Sequence, residues 1–197
     1  GATDNGAGSS VAIEVLRILT ATGARPRRTV RVALWDGEEQ EDYFGSMGYV
    51  KKHYGDPEPM TLKPEHATLS AYFNYDQGSG KVRGVHLQGN AAAKPIFEQL
   101  LAPWADLGAA NVTMEGHGQT DHLSFLSVGL PAFDMLQDPL DYESRTHHTS
   151  LDAPAWLIEA DLKQASTVLA SLVLHVANRD AMMPRMELPP KRGVAKP

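Results

Sequence analysis

Strand-like and helix-like runs alternate along this chain, and that alternation limits its fold more than any other feature. Val11, Ala12, Val15, Leu16, Ile18 and Leu19 recur at helical spacing, and Gly23 stands where a C-cap belongs. Residues 28–35 alternate and then turn continuously apolar, which suits a buried strand, and the run stops at Asp36-Gly37-Glu38-Glu39. A short helix is expected over 45–54 and a Pro- and charge-rich loop over 55–65. Residues 69–75 read as a second strand that ends at Asp76 and a Gly78-Ser79-Gly80 turn. Further strands are expected near 84–88, 111–115 and 131–136, with helices near 91–101 and 121–127. A polar loop over 137–152 leads to a long helix from about 155 to 178, whose apolar face uses Leu157, Ile158, Leu162, Ala165, Leu169, Leu172 and Val176. The pattern predicts an α/β layered fold with a mostly parallel sheet flanked by helices.

At 197 residues and 42% hydrophobic, the chain can bury one core and is too short to suggest two. One domain is expected over 1–180, followed by a Pro-rich, disordered tail over 181–197. The net charge of -6 gives no electrostatic case for nucleic acid or an anionic membrane as a partner. The longest apolar segment, residues 166–178, is interrupted by polar residues at helical spacing and is too short to span a bilayer. The opening Gly-Ala-Thr-Asp-Asn reads as a segment cut from a longer protein. Cysteine is absent, so any metal site must be built from His and carboxylate ligands.

In a parallel α/β sheet, ligands gather at the carboxyl ends of the strands. The two strongest strand-like runs end at Glu38-Glu39 and at Asp76, so both ends are acidic. Carboxylates crowded at one sheet edge repel one another unless a cation sits among them. Two further polar loops offer ligands: Asp4, among Gly6 and Gly8 before the first helix, and the pair His147-His148. Of two adjacent glutamates, one can bind a metal while the other stays free as a base. Each feature also has a plain structural use. Glu38-Glu39 can be a solvated turn, Asp4 a helix cap, and Asp76 a turn residue.

Taken in order, these stretches resemble the M28 family of metallopeptidases, the aminopeptidase and carboxypeptidase Q-like zinc enzymes. The resemblance rests on Gly-Ala-Thr-Asp-Asn-Gly-Ala-Gly at 1–8, Arg-Thr-Val-Arg-Val-Ala-Leu-Trp-Asp-Gly-Glu-Glu-Gln at 28–40 and Phe-Gly-Ser at 44–46. It continues with Asn-Tyr-Asp at 74–76, Thr-Asp-His-Leu-Ser-Phe at 120–125 and Asp-Tyr-Glu-Ser-Arg-Thr-His-His-Thr at 141–149. The resemblance implies the three-layer zinc-exopeptidase fold, with its N-terminal strands outside this chain. It implies that Asp4 bridges two zinc ions, that Glu39 and His148 complete the first site, and that Asp76 serves the second. Glu38 would be the general base, taking a proton from the attacking water and passing it to the leaving amine. The family's other ligand of the second zinc is a His upstream of residue 1, so one well-formed zinc site is expected in this segment.

His147, Asp121, His122 and Asp152 are candidates for substrate contact or for support of the ligands. Asp121-His122 can equally cap a short helix, and Asp152 can anchor the His148 loop. His175 is expected to be structural, while His53, His66, His86 and His117 show no ligand spacing. The expected partner is a peptide substrate. A missing N-terminal segment, or a self-association partner, is expected to cover an open sheet edge. A secreted or periplasmic location follows from the resemblance alone. An aminopeptidase leads a carboxypeptidase or dipeptidase, and two other readings stand beside it: a single-zinc glutaminyl cyclase-like enzyme and a non-catalytic binding domain.

Overall fold

The computed structural model describes residues 1–40 and 43–189. The first helix, α1 (Ala7–Ala21), buries Val11, Val15 and Leu19 along one stripe. It closes at Gly23, whose φ is +67°, with Gly23 N–H bonded to Thr20 C=O at 3.1 Å and Ala24 N–H to Leu19 C=O at 3.0 Å. That left-handed turn strains any residue with a Cβ, so the glycine ends the helix where expected. Helix α2 (Phe44–His53) leads into a small antiparallel pair, β1 (Gly55–Asp56) and β2 (Thr61–Leu62), inside the stretch expected to be loop.

The main sheet begins with β3 (Tyr72–Asn74) and β4 (Val82–His86). Helix α3 (Lys94–Leu101), strand β5 (Asn111–Thr113), helix α4 (His122–Leu126), strand β6 (Ala132–Gln137) and helix α5 (Glu159–Asn178) follow. The spatial order is β3-β6-β4-β5. β3 runs parallel to β6 and β5 parallel to β4, while β4 and β6 are antiparallel. The sheet is therefore mixed, as the zinc-exopeptidase resemblance implies, and two of its three pairings are parallel.

Successive side chains of a strand point to opposite faces, and here they feed two different cores. Phe73 and Phe133 pack with Val15, Phe97 and Leu172 beneath α1, α3 and α5. Tyr72 and Ala132, their neighbours in sequence, pack with Val50, Tyr54 and Phe125 beneath α2 and α4. The result is three layers, and Phe97, fully buried, contributes roughly 1.5–3 kcal/mol by leaving water.

Three expectations change. Residues 28–35 form no strand: the run has no regular secondary structure, its residues are exposed or half-buried, and Leu34 is 57% exposed. A strand is a paired state, and among the described residues no backbone group of 29–35 has a hydrogen-bond partner. The last helix starts at Glu159 rather than 155. Leu157 and Ile158 are extended and sit between it and a single turn at Pro154–Trp156. The apolar pattern continues past the point where Glu159 and Asp161 supply the acidic first turn that a helix N-terminus favours. Disorder does not begin at 181 either. Met183 is 2% exposed, its N–H donates to Ser70 Oγ at 3.2 Å, and Arg185 Nη2 donates to the carbonyls of His66 and Leu69. The rest of the expected tail, residues 190–197, lies outside the described residues. No helix among the described residues is long and apolar enough to cross a membrane.

Candidate active site

Four loops meet beyond the end of β3. The loop before α1 carries Asp4, whose side chain is 9% exposed. Its position is fixed from two sides. Asn5 clamps the loop onto the sheet, with its Nδ2 donating to Tyr75 C=O at 3.0 Å and its Oδ1 accepting from Gly8 N–H at 2.9 Å. On the other side, the Asp152 carboxylate accepts from Thr3 N–H at 2.6 Å and Asp4 N–H at 2.9 Å. Burial alone would push the Asp152 carboxyl up, but the Thr3 and Asp4 donors outweigh it and hold it below the ordinary value.

Asp152 also belongs to the histidine loop, since its N–H donates to Thr149 C=O at 3.2 Å. That loop is braced by Thr149 Oγ1, which donates to Arg145 C=O at 2.7 Å, and by a Thr3–Thr146 hydroxyl bond of 2.9 Å. His148 stands in the left-handed region at φ +55°, a conformation that costs a non-glycine residue roughly 1–2 kcal/mol. There its Nε2 lies 3.5 Å from Asp4 Oδ2 and 3.2 Å from Glu39 Oε2. His147 stacks between Tyr142 and His148; its Nε2 is 3.9 Å from Asp4 Oδ2 and its Nδ1 3.4 Å from Glu143. Asp4, His147 and His148 offer three ligand atoms within 4.8 Å of one another, a possible metal-ligand triad.

Donors about 2.1 Å from a tetrahedral zinc lie roughly 3.4 Å apart. The distances from His148 Nε2 to Asp4 and Glu39 match that spacing, but the three donors that gather within 4.8 Å of one another are Asp4, His147 and His148, with Glu39 reaching His148 alone; two imidazoles and a carboxylate are a donor set that fits a zinc ion.

Glu38 and Glu39 open a short turn, Glu38–Gln40, and diverge. Glu39 is exposed and faces His148, whereas Glu38 is half-buried among Asp76, Asp121, Glu39 and Asp4. Burial, then repulsion from those carboxylates, raises the Glu38 carboxyl to about 8. Asp76 accepts from Thr120 Oγ1 at 2.5 Å; burial and the neighbouring acids nonetheless raise it to about 6. A charge conflict of this kind marks a place prepared for a cation.

Asp121 lines the same cavity as Glu38 and Asp76, and burial raises its carboxyl as well. Its side chain makes no capping bond to α4. His122 does not join them. It is fully buried, with Nε2 beside His117 C=O at 2.8 Å, and burial lowers it to about 4. Of the remaining histidines, His53 pairs with Glu65, His66 meets Val128 C=O, and His175 is exposed on α5.

Behind Asp76 lies a buried network that motif spacing does not reveal. Asn74 Nδ2 donates to Thr120 Oγ1 and to Asp134 Oδ1, both at 3.1 Å, and Gln77 Nε2 donates to Asp134 Oδ2. Burial, moderated by these donors, raises the Asp134 carboxyl to about 7. The sequence does carry one signal of it: a carboxylate inside the apolar run Phe133-Asp134-Met135 needs partners.

Comparison with known proteins identifies the family. The profile of Peptidase family M28 matches residues 1–173. Human carboxypeptidase Q is 28% identical over 185 residues, covering 94% of this chain and 37% of that protein. A probable glutamate carboxypeptidase of Arabidopsis thaliana is also 28% identical, over 80% of this chain and 23% of that one. Among solved structures, the Peptidase M28 precursor from Shewanella amazonensis superposes with a TM-score of 0.77 at 26% identity, over 97% of this chain and 40% of that one. A zinc aminopeptidase from Bacillus subtilis gives 0.70 at 22% identity, over 91% and 43%. The chain thus spans about two fifths of the carboxypeptidase Q and Shewanella proteins. With the profile covering nearly all of the domain, the chain belongs to peptidase family M28, for which zinc is the expected metal.

Proposed function

We propose that this chain is the catalytic part of a zinc-dependent exopeptidase that removes residues from the amino end of a peptide. The observation that carries the reading is the position of His148 Nε2, 3.5 Å from Asp4 and 3.2 Å from Glu39, with Glu38 beside them. Asp4, Glu39 and His148 hold one zinc ion. Asp4 and Asp76 supply part of a second site. Bound zinc contributes a Lewis acid and lowers the pKa of water. Glu38 takes a proton from the attacking water and returns it to the leaving amine, the role that a partly buried carboxylate of raised pKa suits.

The charge of the cavity favours an amino-terminal substrate. Once Asp4, Glu39 and Asp76 are given to zinc and Glu38 to the base, Asp121 is the remaining acid of its lining, and a free ammonium complements it. A free carboxylate needs an available cation. Of the two arginines of the cavity wall, Arg28 is held by the carbonyls of Ala177, Arg179 and Asp180, while Arg31 donates to the Tyr49 hydroxyl, away in sequence from the acidic cluster's loops at 4, 76 and 121.

Glu38→Gln in the full-length protein tests the reading. The expected outcome is a loss of about 10²–10⁴-fold in hydrolysis of amino-terminal residues, with zinc content unchanged. Retained hydrolysis overturns the assignment of the base. Cyclisation of N-terminal glutamine without peptide cleavage would point instead to the cyclase reading.

A further inference from the structure

The motif Phe44-Gly45-Ser46 has no part in the zinc reading, yet it forms the first turn of α2 directly beside the candidate active site. Gly45 N–H donates to Asp36 C=O at 2.9 Å, and a Cβ on Gly45 would come within 2.7 Å of the Asp36 backbone N and O. The Phe44 ring lies over Gly37, where a Cβ would come within 3.1 Å of it. The helix is thus fitted against the loop that delivers Glu38, and glycine on each side permits so close an approach.

Ser46 makes the next connection. It is fully buried, and its Oγ lies 2.8 Å from the Oγ of Ser124, which is fully buried on α4. The Ser46 hydroxyl also hydrogen-bonds the Asp121 carboxyl and opposes the upward push of burial on it. The direction of these bonds follows from the groups. Ser46 has one proton to give; the Tyr43 carbonyl, at 3.4 Å, is a long alternative, and a carboxylate is the stronger acceptor. A carboxylate only accepts, so Ser46 donates to Asp121 and Ser124 donates to Ser46. Ser46 stands in the first turn of a ten-residue helix, whose positive end reinforces the same polarity.

Asp121 is 5% exposed and lines the cavity beside Glu38 and Asp76, both of which feel its charge. Its Oδ1 is buried and has no hydrogen-bond partner among the described residues. A buried carboxylate that is held from behind, and meets only other acids in front, needs a cation. With zinc on the other acids, the cation left for Asp121 is one that the substrate brings.

We propose that Ser46 is a positioning residue: with Ser124 behind it, it holds the Asp121 carboxylate in the cavity as the receptor for the terminal ammonium of the substrate. The turn 44–46 then sets the spacing between that receptor and the base Glu38. This role presupposes the amino-terminal substrate proposed above, and a double-mutant cycle separates the two.

The measurement is KM and kcat for peptides with a free amino terminus, on the zinc-loaded full-length protein. Ser46→Ala is expected to raise KM about 10-fold, the scale of one hydrogen bond to a charged group, and to change kcat far less. Asp121→Asn is expected to raise KM at least as much. Because Ser46 acts through Asp121, adding Ser46→Ala to Asp121→Asn should raise KM no further, whereas a merely structural serine would add its effect in both backgrounds. A wild-type KM in Ser46→Ala, or an undiminished effect in the Asp121→Asn background, overturns the proposal and leaves the amino-terminal reading standing. An unchanged KM in Asp121→Asn removes the ammonium receptor and counts against both. Ser124→Ala, one bond farther away, is expected to raise KM by less. It carries the test if Ser46→Ala does not fold, and a wild-type KM there overturns the proposal.

Discussion

Glu38 and Glu39 are adjacent in sequence and opposite in circumstance. Glu39 is exposed and shares His148 with Asp4, while Glu38 is half-buried among four other carboxylates and is raised to about 8. The metal-free protein therefore keeps Glu38 mostly protonated at pH 7. A divalent cation among these acids favours the ionised form, so zinc binding must expel that proton. The Glu38 share of the protons released on zinc binding is expected to be about one per protein at pH 7 and to fall toward zero above pH 9, with zinc-bound water contributing separately. Calorimetric titration in buffers of different ionisation heat measures this number directly. Glu38→Gln should lower the release by that share while leaving zinc binding in place, and an unchanged proton count in that variant would remove Glu38 from the site.

Elements place the ligands through contacts that admit little change. The N-terminus of α1 meets the end of β3 at Gly8, where a Cβ would come within 2.4 Å of Tyr75 O and 2.3 Å of Asn5 Oδ1. Those two atoms belong to the clamp that holds the Asp4 loop on the sheet. Gly8→Ala gains up to about 1 kcal/mol of helix propensity but must displace the clamp, an overpacking cost of about 1–3 kcal/mol. The expected outcome is a net loss of stability in urea unfolding and weaker zinc binding, because Asp4 moves with the loop. What is legible in the sequence, and what is not, divides at this scale. Helix faces are legible because 3.6-residue periodicity is local, and Gly23 is legible because only a left-handed turn needs it there. Glu38, Glu39 and Asp76 stand out because acids at the ends of strand-like runs conflict unless something reconciles them, whereas Asp4 and His148 are singled out by the resemblance to the family. The run 28–35 misleads because its pattern is that of a strand, while pairing depends on a neighbour that no local pattern reports. The network of Asn74, Thr120 and Asp134 is hidden for the same reason: its members lie 14 to 60 residues apart in sequence and meet only across β3 and β6.

For the molecule as a whole, the buried acids make stability depend on pH in a direction opposite to that of a protein rich in salt bridges. Asp134 has an ordinary carboxyl value of 3.8 when unfolded and about 7 when folded. A group raised on folding contributes its full stability below the unfolded value and loses it as pH rises through the folded one. Stability should therefore fall between about pH 4 and pH 8. A tenfold change in proton affinity is worth about 1.4 kcal/mol, so the Asp134 share is on the order of 2–4 kcal/mol. Asp76 and Glu38, raised to about 6 and 8, act in the same direction, but their repulsion is relieved by a cation. Asp134 is held away from the ligands behind Asn74 and Gln77, and beside His117, whose Nδ1 is 3.4 Å away and which burial keeps neutral. Zinc should accordingly remove the share of the pH dependence that comes from Glu38 and Asp76 and leave that of Asp134. Urea midpoints measured from pH 5 to pH 8, with and without zinc, separate the two. The zinc-loaded protein is expected to lose stability over this range and Asp134→Asn to flatten the loss, since an amide keeps the hydrogen bond from Asn74 without ever ionising. A zinc-loaded wild type with a flat profile would mean that Asp134 finds a compensating charge, with protonated His117 the group in position to supply it.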